Sequence, residues 1–253
     1  MIRVRGRAVV YGEVWFDEPP ADDARVDIVV HRQRSAPVPD SRAVPFLTMR
    51  TDLALAEEAI LAQCQDNCRY QIRRADAKDG LSHEFITDAQ LGLDEFIAFF
   101  DAFARRKSIA PADRAWLAAA CRARQFVLTA ARRNGEALAW HAYLVAGDCA
   151  RIEHTASSFR EKEPAQRALV GRANRWLHWR DMLRFKAAGI RWYDWGGMFE
   201  DESTPDRAGI NRFKRSFGGQ EVRRYDCSVP ASLRGRIWLP VRDAWRRLRD
   251  LRI

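Results

Sequence analysis

Three strand-like runs follow one another at residues 125–132, 137–145 and 149–157, separated only by Asn134-Gly135 and Gly147-Asp148. These pairs tolerate the positive φ angles that tight hairpins require, so the segment reads as an antiparallel three-stranded unit. Pro164 then opens a long helix that Gly189 stops, since proline suits the first helical turn and glycine the position after the last. A sheet with such a centre has two faces to cover, and the flanking sequence must supply the helices.

It does. Residues 83–87 read as a strand. Residues 93–106 read as an amphipathic helix with Phe96, Phe99, Phe100 and Phe103 on its apolar side. Pro111 is expected to open a second helix through Cys121. Downstream, 191–194 is a short strand ending before Gly196-Gly197, 210–217 a brief helix ending at Gly218-Gly219, and 221–227 a further strand. Upstream, 2–16 and 26–30 read as strands, and the Pro-containing stretch 35–45 as a connector. Asp52 is positioned to cap a helix over 53–68, and a basic segment, 69–80, follows and stops at Gly80.

The chain has 253 residues, with 43 Lys or Arg against 34 Asp or Glu, a net charge of +9. A hydrophobic share of 47% beside 30% charged residues excludes disorder, collagen and a disulfide scaffold. Five scattered cysteines, Cys64, Cys68, Cys121, Cys149 and Cys227, read as reduced thiols, without the paired spacing of a zinc site. No apolar run reaches the roughly 18 residues that crossing a bilayer needs, so the expected location is cytoplasmic.

Three blocks carry a family resemblance: residues 67–81 (NCRYQIRRADAKDGL), 171–198 (GRANRWLHWRDMLRFKAAGIRWYDWGGM) and 209–220 (GINRFKRSFGGQ). In the last two, Tyr193-Asp194-Trp195-Gly196-Gly197 leads into Gly209-Ile210-Asn211-Arg212-Phe213-Lys214-Arg215-Ser216-Phe217-Gly218-Gly219. Together they resemble FemA/FemB-like proteins and related GNAT-type enzymes encoded among cell-envelope polysaccharide genes, over roughly residues 45–227.

The resemblance implies an α/β (α+β) fold: a GNAT-like mixed, mostly antiparallel sheet flanked by helices, with an N-terminal strand-containing extension. The expected division is an extension at 1–65, an acyltransferase domain at 66–229 and a basic amphipathic tail at 230–253. It implies N-acyl transfer from a thioester, acyl-CoA or an acyl carrier protein, to an amino group of a sugar or glycan precursor. No metal is expected, because His178 and Asp181 have no third ligand at recognisable spacing. The acceptor would be nucleotide- or lipid-linked. The alternatives are aminoacyl transfer from aminoacyl-tRNA to a peptidoglycan-type precursor and, from charge alone, a non-catalytic nucleic-acid-binding protein.

A strand ending in Tyr-Asp before Gly-Gly places a phenol and a carboxylate where open sheets bind ligands, with little steric cover. Asp194 is then a candidate general base and Tyr193 a candidate acid for the leaving thiolate. His154, on the third hairpin strand, is a candidate base or acceptor contact, with His141 a weaker one. Arg212, Lys214 and Arg215 are candidate phosphate contacts, as are Arg73 and Arg74 in the first block. Gly171, Asn174, His178 and Asp181 form one polar stripe on the long helix, opposite Leu169, Trp176, Leu183 and Ala187. A solvated face is the expected setting for that stripe. Asn174 and His178 are nevertheless candidate substrate contacts if the stripe lines a cleft.

A CoA-binding glycine signature is absent from the helix mouth; the nearest match, residues 168–173, falls inside the helix. Arg160, Lys162 and Arg167 near its start are the candidate donor contacts.

Residues 231–253 hold seven arginines and two aspartates, a net +5. After Pro240, Val241, Trp245, Leu248 and Leu251 recur at near-helical spacing. The tail is expected either to pack its apolar side on the domain or to contact an anionic membrane surface peripherally.

Overall fold

The computed structural model describes residues 1–6, 8–20, 25–158 and 163–250, with the backbone alone for 243–250. It forms a mixed α/β protein that divides into two compact units, residues 47–222 and residues 1–46 with 223–253.

The larger unit carries β4 (Arg42–Asp52, from Leu47 on), β5 (Ser82–Ile86), β6 (Phe126–Arg133), β7 (Glu136–Ala146), β8 (Cys149–Ser157) and β9 (Trp192–Gly197). Their spatial order is β4-β9-β8-β7-β6-β5. All neighbours are antiparallel except β8 and β9, which run parallel. Helices α2 (Asp66–Lys78) and α5 (Pro164–Ala187) cover one face. Helices α3 (Leu93–Lys107) and α4 (Arg114–Arg122) cover the other. The alternation of β7 shows the division: Trp140 meets Phe96 of α3, whereas His141 and Tyr143 point to α5. Two short helices, α1 (Glu57–Gln63) and α6 (Pro205–Arg215), complete the unit.

The smaller unit has β1 (Ile2–Arg5) and β2 (Val10–Trp15) as an antiparallel pair, with β3 (Ile28–Arg34) parallel to β2. The end of β10 (Gln220–Pro230) runs antiparallel to β3, and α7 (Leu233–Asp250) follows. Val9, Ile28 and Val30 form its core with Tyr11, Trp238 and Leu239.

Several expected elements are corrected. The segment 2–16 is two strands. The connector 35–45 gives way to the long strand β4, whose Val44-Pro45-Phe46 run was obscured by a proline that usually interrupts strands. Asp52 ends that strand; its side chain accepts from Ala54 N at 2.9 Å but starts no helix. The expected helix 53–68 is instead α1 and the start of α2, parted at Cys64-Gln65. Leu53 N donates to Arg191 O at 2.7 Å, and the first helix begins only at Glu57.

Helix α4 starts at Arg114, not Pro111, because Asp113 caps Trp116 N at 3.0 Å. Helix α6 starts at Pro205 behind a Thr204 cap, which places Gly209 inside it. Strand β9 continues through Asp194 to Gly197. The C-terminal helix begins at Leu233 and runs through Pro240.

Candidate active site

Helix α5 has almost no solvent face in its second half. Trp176, Leu177, His178, Trp179, Asp181, Met182 and Phe185 are all buried. The sheet takes one side of it and α2 another, where Asp79 receives Nε and Nη2 of Arg172 and Asp76 receives Nε1 of Trp176. The polar stripe is therefore not a solvated face. Asn174, His178 and Asp181 point into the sheet.

There they meet residues from four strands. The Asp181 carboxylate is completely buried and accepts from His83 Nε2 of β5 at 2.8 Å and Thr129 Oγ1 of β6 at 2.9 Å. From β7 it accepts His141 Nδ1 at 2.9 Å and the Tyr143 hydroxyl at 2.6 Å. The Tyr143 and Tyr193 hydroxyl oxygens are 2.7 Å apart, and Tyr193 lies 2.6 Å from His178 Nδ1. His141 Nε2 lies 3.0 Å from Asn174 Oδ1.

Charge states follow from these contacts. Burial alone opposes a charge on Asp181, but the hydrogen bonds from His141 and His83 outweigh it and hold the carboxyl below its ordinary range. Burial, reinforced by Asp181, pushes both phenols well above theirs, so Tyr143 and Tyr193 keep their protons. Burial, with the charges of Arg175 and Lys214 and the neighbouring His141, holds His178 well below its usual value and therefore neutral.

Proton placement is then decided by elimination. Tyr143 spends its proton on Asp181, so Tyr193 must donate to Tyr143 to avoid two facing oxygens without a hydrogen. His178 must in turn donate Nδ1–H to Tyr193. The basic lone pair of His178 is thereby fixed at Nε2, which is buried and has no hydrogen-bond partner among the described residues. The imidazole is held between Trp195 (4.8 Å between ring centroids), Phe217 (5.4 Å), Phe213 (5.6 Å) and His141 (4.0 Å).

Asp194 occupies the opposite face of β9 from Tyr193, as alternation along a strand requires. It is fully buried, so the expectation of little steric cover is corrected. Its carboxylate accepts from Arg50 Nε at 2.8 Å, Thr48 Oγ1 at 2.6 Å and Gly196 N at 2.9 Å. Lys214 Nζ donates to Gly197 O at 2.6 Å. Burial and Arg151, only partly opposed by Asp194, push its pKa down to about 8.

His154 lies on the α3 side, its ring 4.6 Å from Phe100 and 6.1 Å from Phe96. Burial and the Arg151 charge push its pKa down to about 4.

The basic candidates do not converge. Arg212 is exposed, and Arg215 is held by Glu202 and Glu221 at 2.7 Å each. Arg73 and Arg74 are exposed on α2, with Arg74 Nη1 3.1 Å from the Tyr70 hydroxyl. Arg167 is exposed in the first turn of α5, while Arg160 and Lys162 lie outside the described residues. No group of three or more His, Cys, Asp or Glu is arranged to hold a metal ion among the described residues.

His83, Thr129 and Tyr143 also belong to the site, although no sequence motif marks them. The i, i+2 spacing of His141 and Tyr143 was the available signal, since it puts both on one strand face.

The acetyltransferase (GNAT) domain family matches residues 62–215. None of the curated proteins matches the sequence. Among solved structures, FemX is similar at 14% identity and a TM-score of 0.57, over 71% of this chain and 61% of that one. The C-terminal domain of a lysylphosphatidylglycerol synthetase-type protein from Agrobacterium fabrum is similar at 18% identity and a TM-score of 0.55, over 83% and 70%. A conserved protein of unknown function from Bacteroides thetaiotaomicron is similar at 10% identity and a TM-score of 0.52, over 79% and 69%. At such identities the likeness concerns the fold.

Proposed function

We propose, from the premise that the chain belongs to the acetyltransferase (GNAT) family, that it moves an acyl group from an acyl-CoA thioester to an amino group of a sugar or glycan precursor of the cell envelope. The observation that carries the chemistry is the hydrogen-bonded chain from Asp181 through Tyr143 and Tyr193 to His178. It ends in a neutral imidazole whose Nε2 is unpartnered among the described residues.

In this reading Nε2 takes one proton from the acceptor ammonium. The neutral amine adds to the thioester carbonyl, the C–N bond forms, and the C–S bond breaks as the tetrahedral adduct collapses. The second amine proton leaves with the thiolate as free thiol. The imidazolium left behind sits in a dry site, and the phenol chain connects it to the Asp181 carboxylate, which offsets the cost of that charge. Arg167 in the first turn of α5, and Arg160 and Lys162 just before that helix in sequence, are the proposed contacts for the donor's phosphates. Lys214 and Arg212 are proposed for an acceptor phosphate.

A second reading, aminoacyl transfer from aminoacyl-tRNA, is favoured by the fold shared with FemX and with a domain named for lysylphosphatidylglycerol synthesis.

Thiol release from acetyl-CoA and longer acyl-CoAs, measured with amino sugars and their nucleotide-linked forms, separates the two. Release that depends on the amino sugar is the expected result. Transfer from aminoacyl-tRNA alone would establish the second reading. His178→Gln should lower turnover by ~10²–10⁴-fold without a matching change in KM, and full turnover in that variant would remove His178 from the mechanism.

A further inference from the structure

Helix α7 is apolar on two sides, although one suffices to hold it on the smaller unit. The inner side carries Trp238 and Leu239, packed on Val9, Ile28 and Val30. Trp238 Nε1 donates to the Tyr11 hydroxyl at 3.0 Å, and Ser232 Oγ donates to Asp27 Oδ1 at 2.6 Å. Gly235 fixes the rotation of the helix about its axis. A Cβ at that position would lie 1.9 Å from Asp27 O, so only glycine lets the backbones approach this closely.

With that side committed, Leu233, Ile237 and Val241 fall at i, i+4 and i+8 on successive turns of an outer side. They are 75%, 65% and 40% exposed. Single exposed aliphatic residues are ordinary, whereas a continuous stripe over three turns marks an interaction surface. The stripe continues into a groove lined by Ala8, Val9, Leu233, Arg234, Ile237 and Trp238. Its borders are basic. Arg234 and Arg236 are exposed beside it, and residues 231–242 contain no acidic side chain. No helix among the described residues is long and apolar enough to cross a membrane.

We propose that α7 is an interfacial anchor that lays Leu233, Ile237 and Val241 into the surface of an anionic phospholipid bilayer while Arg234 and Arg236 contact the lipid phosphates. An apolar stripe flanked by arginine suits the boundary between headgroups and acyl chains, where both requirements are met at once. The seven arginines between residues 231 and 253 add a field that an anionic leaflet attracts. This surface is independent of the acyl-transfer reading and stands or falls without it.

The test is co-sedimentation of the full chain with phosphatidylcholine vesicles, with and without one third phosphatidylglycerol. Binding is expected only to the anionic vesicles and should fall steeply with added salt. The exposed positions allow a Leu233→Ser, Ile237→Ser, Val241→Ser variant and a separate Arg234→Glu, Arg236→Glu variant, each compared with the parent by thermal melting. Both should lose vesicle binding, the second by more than about fivefold per arginine. Neither should alter thiol release with soluble substrates.

Failure of the parent to bind anionic vesicles would overturn the proposal, as would undiminished binding by the serine variant. So would a parent dimer that the serine variant dissociates, because the stripe would then belong to a second copy. Vesicle binding lost only in the arginine variant, together with arginine-dependent RNA binding, would likewise replace the lipid by a polyanion.

Discussion

Tyr193 and Asp194 are adjacent in sequence and work on opposite faces of β9. The Tyr193 hydroxyl lies 2.6 Å from His178 Nδ1, while the Asp194 carboxylate holds Arg50 Nε at 2.8 Å. A phenol and a carboxylate so placed cannot serve one reacting atom together. The partner of the phenol is Asp181, reached through Tyr143.

Tyr193→Phe interrupts that link without emptying the core. Turnover should fall about 10- to 100-fold. Loss of the buried hydroxyl should cost about 1–3 kcal/mol of stability, since His178 Nδ1–H loses its acceptor. Steady-state kinetics with a chemical melt of the same preparation checks both, and unchanged turnover would remove the phenols from the proton path.

Asp181→Asn should be far more damaging. An amide cannot accept from His83, Thr129, His141 and Tyr143 together, and its NH2 would face donors. The expected loss is about 3–5 kcal/mol, the range for breaking a buried charged network, read from the shift of a urea unfolding midpoint at constant slope.

Acid stability reports on His154. Its pKa is about 4 in the fold, against about 6.5 in an unfolded chain. The unfolded chain therefore takes up a proton that the folded one refuses, and the contribution present above pH ~6.5 is lost as pH falls toward 4. His154→Phe should flatten the dependence of unfolding free energy between pH 7 and 4.5 by roughly 2 kcal/mol. His178 and His31, also held below their ordinary values by burial, should leave a residual slope.

The Gly218-Gly219 pair should tolerate no side chain. Both have positive φ, 76° and 107°. A Cβ would come within 2.6 Å of Gln63 Cβ at the first and 2.6 Å of Arg50 O at the second. Either alanine substitution should cost about 2 kcal/mol or more, visible as a lowered melting temperature.

Local chemistry made much of this fold legible. Strands β6 to β8 appear where alternation and the Asn134-Gly135 and Gly147-Asp148 turns put them. Helix α5 begins at Pro164 and ends just before Gly189, because proline and glycine act within a turn of where they stand. Gly218-Gly219 marked the end of α6 for the same reason. Where a tertiary bond competes, local signals are not enough: Gln65 N donates to Ser216 O at 2.9 Å rather than to Leu61 O, and the expected helix 53–68 breaks there.

The site itself was only half legible. The spacing of Asn174, His178 and Asp181 put them on one face of a helix, and that holds. Whether the face met water or protein depended on the rotation of α5 and on two layers packing around it. The partners that give Asp181 its charge come from β5, β6 and β7, as far as 98 residues away in sequence. Sequence fixes the period of each element. Which residues of different elements come within 3 Å depends on strand register and helix rotation, and only packing of the whole core decides those.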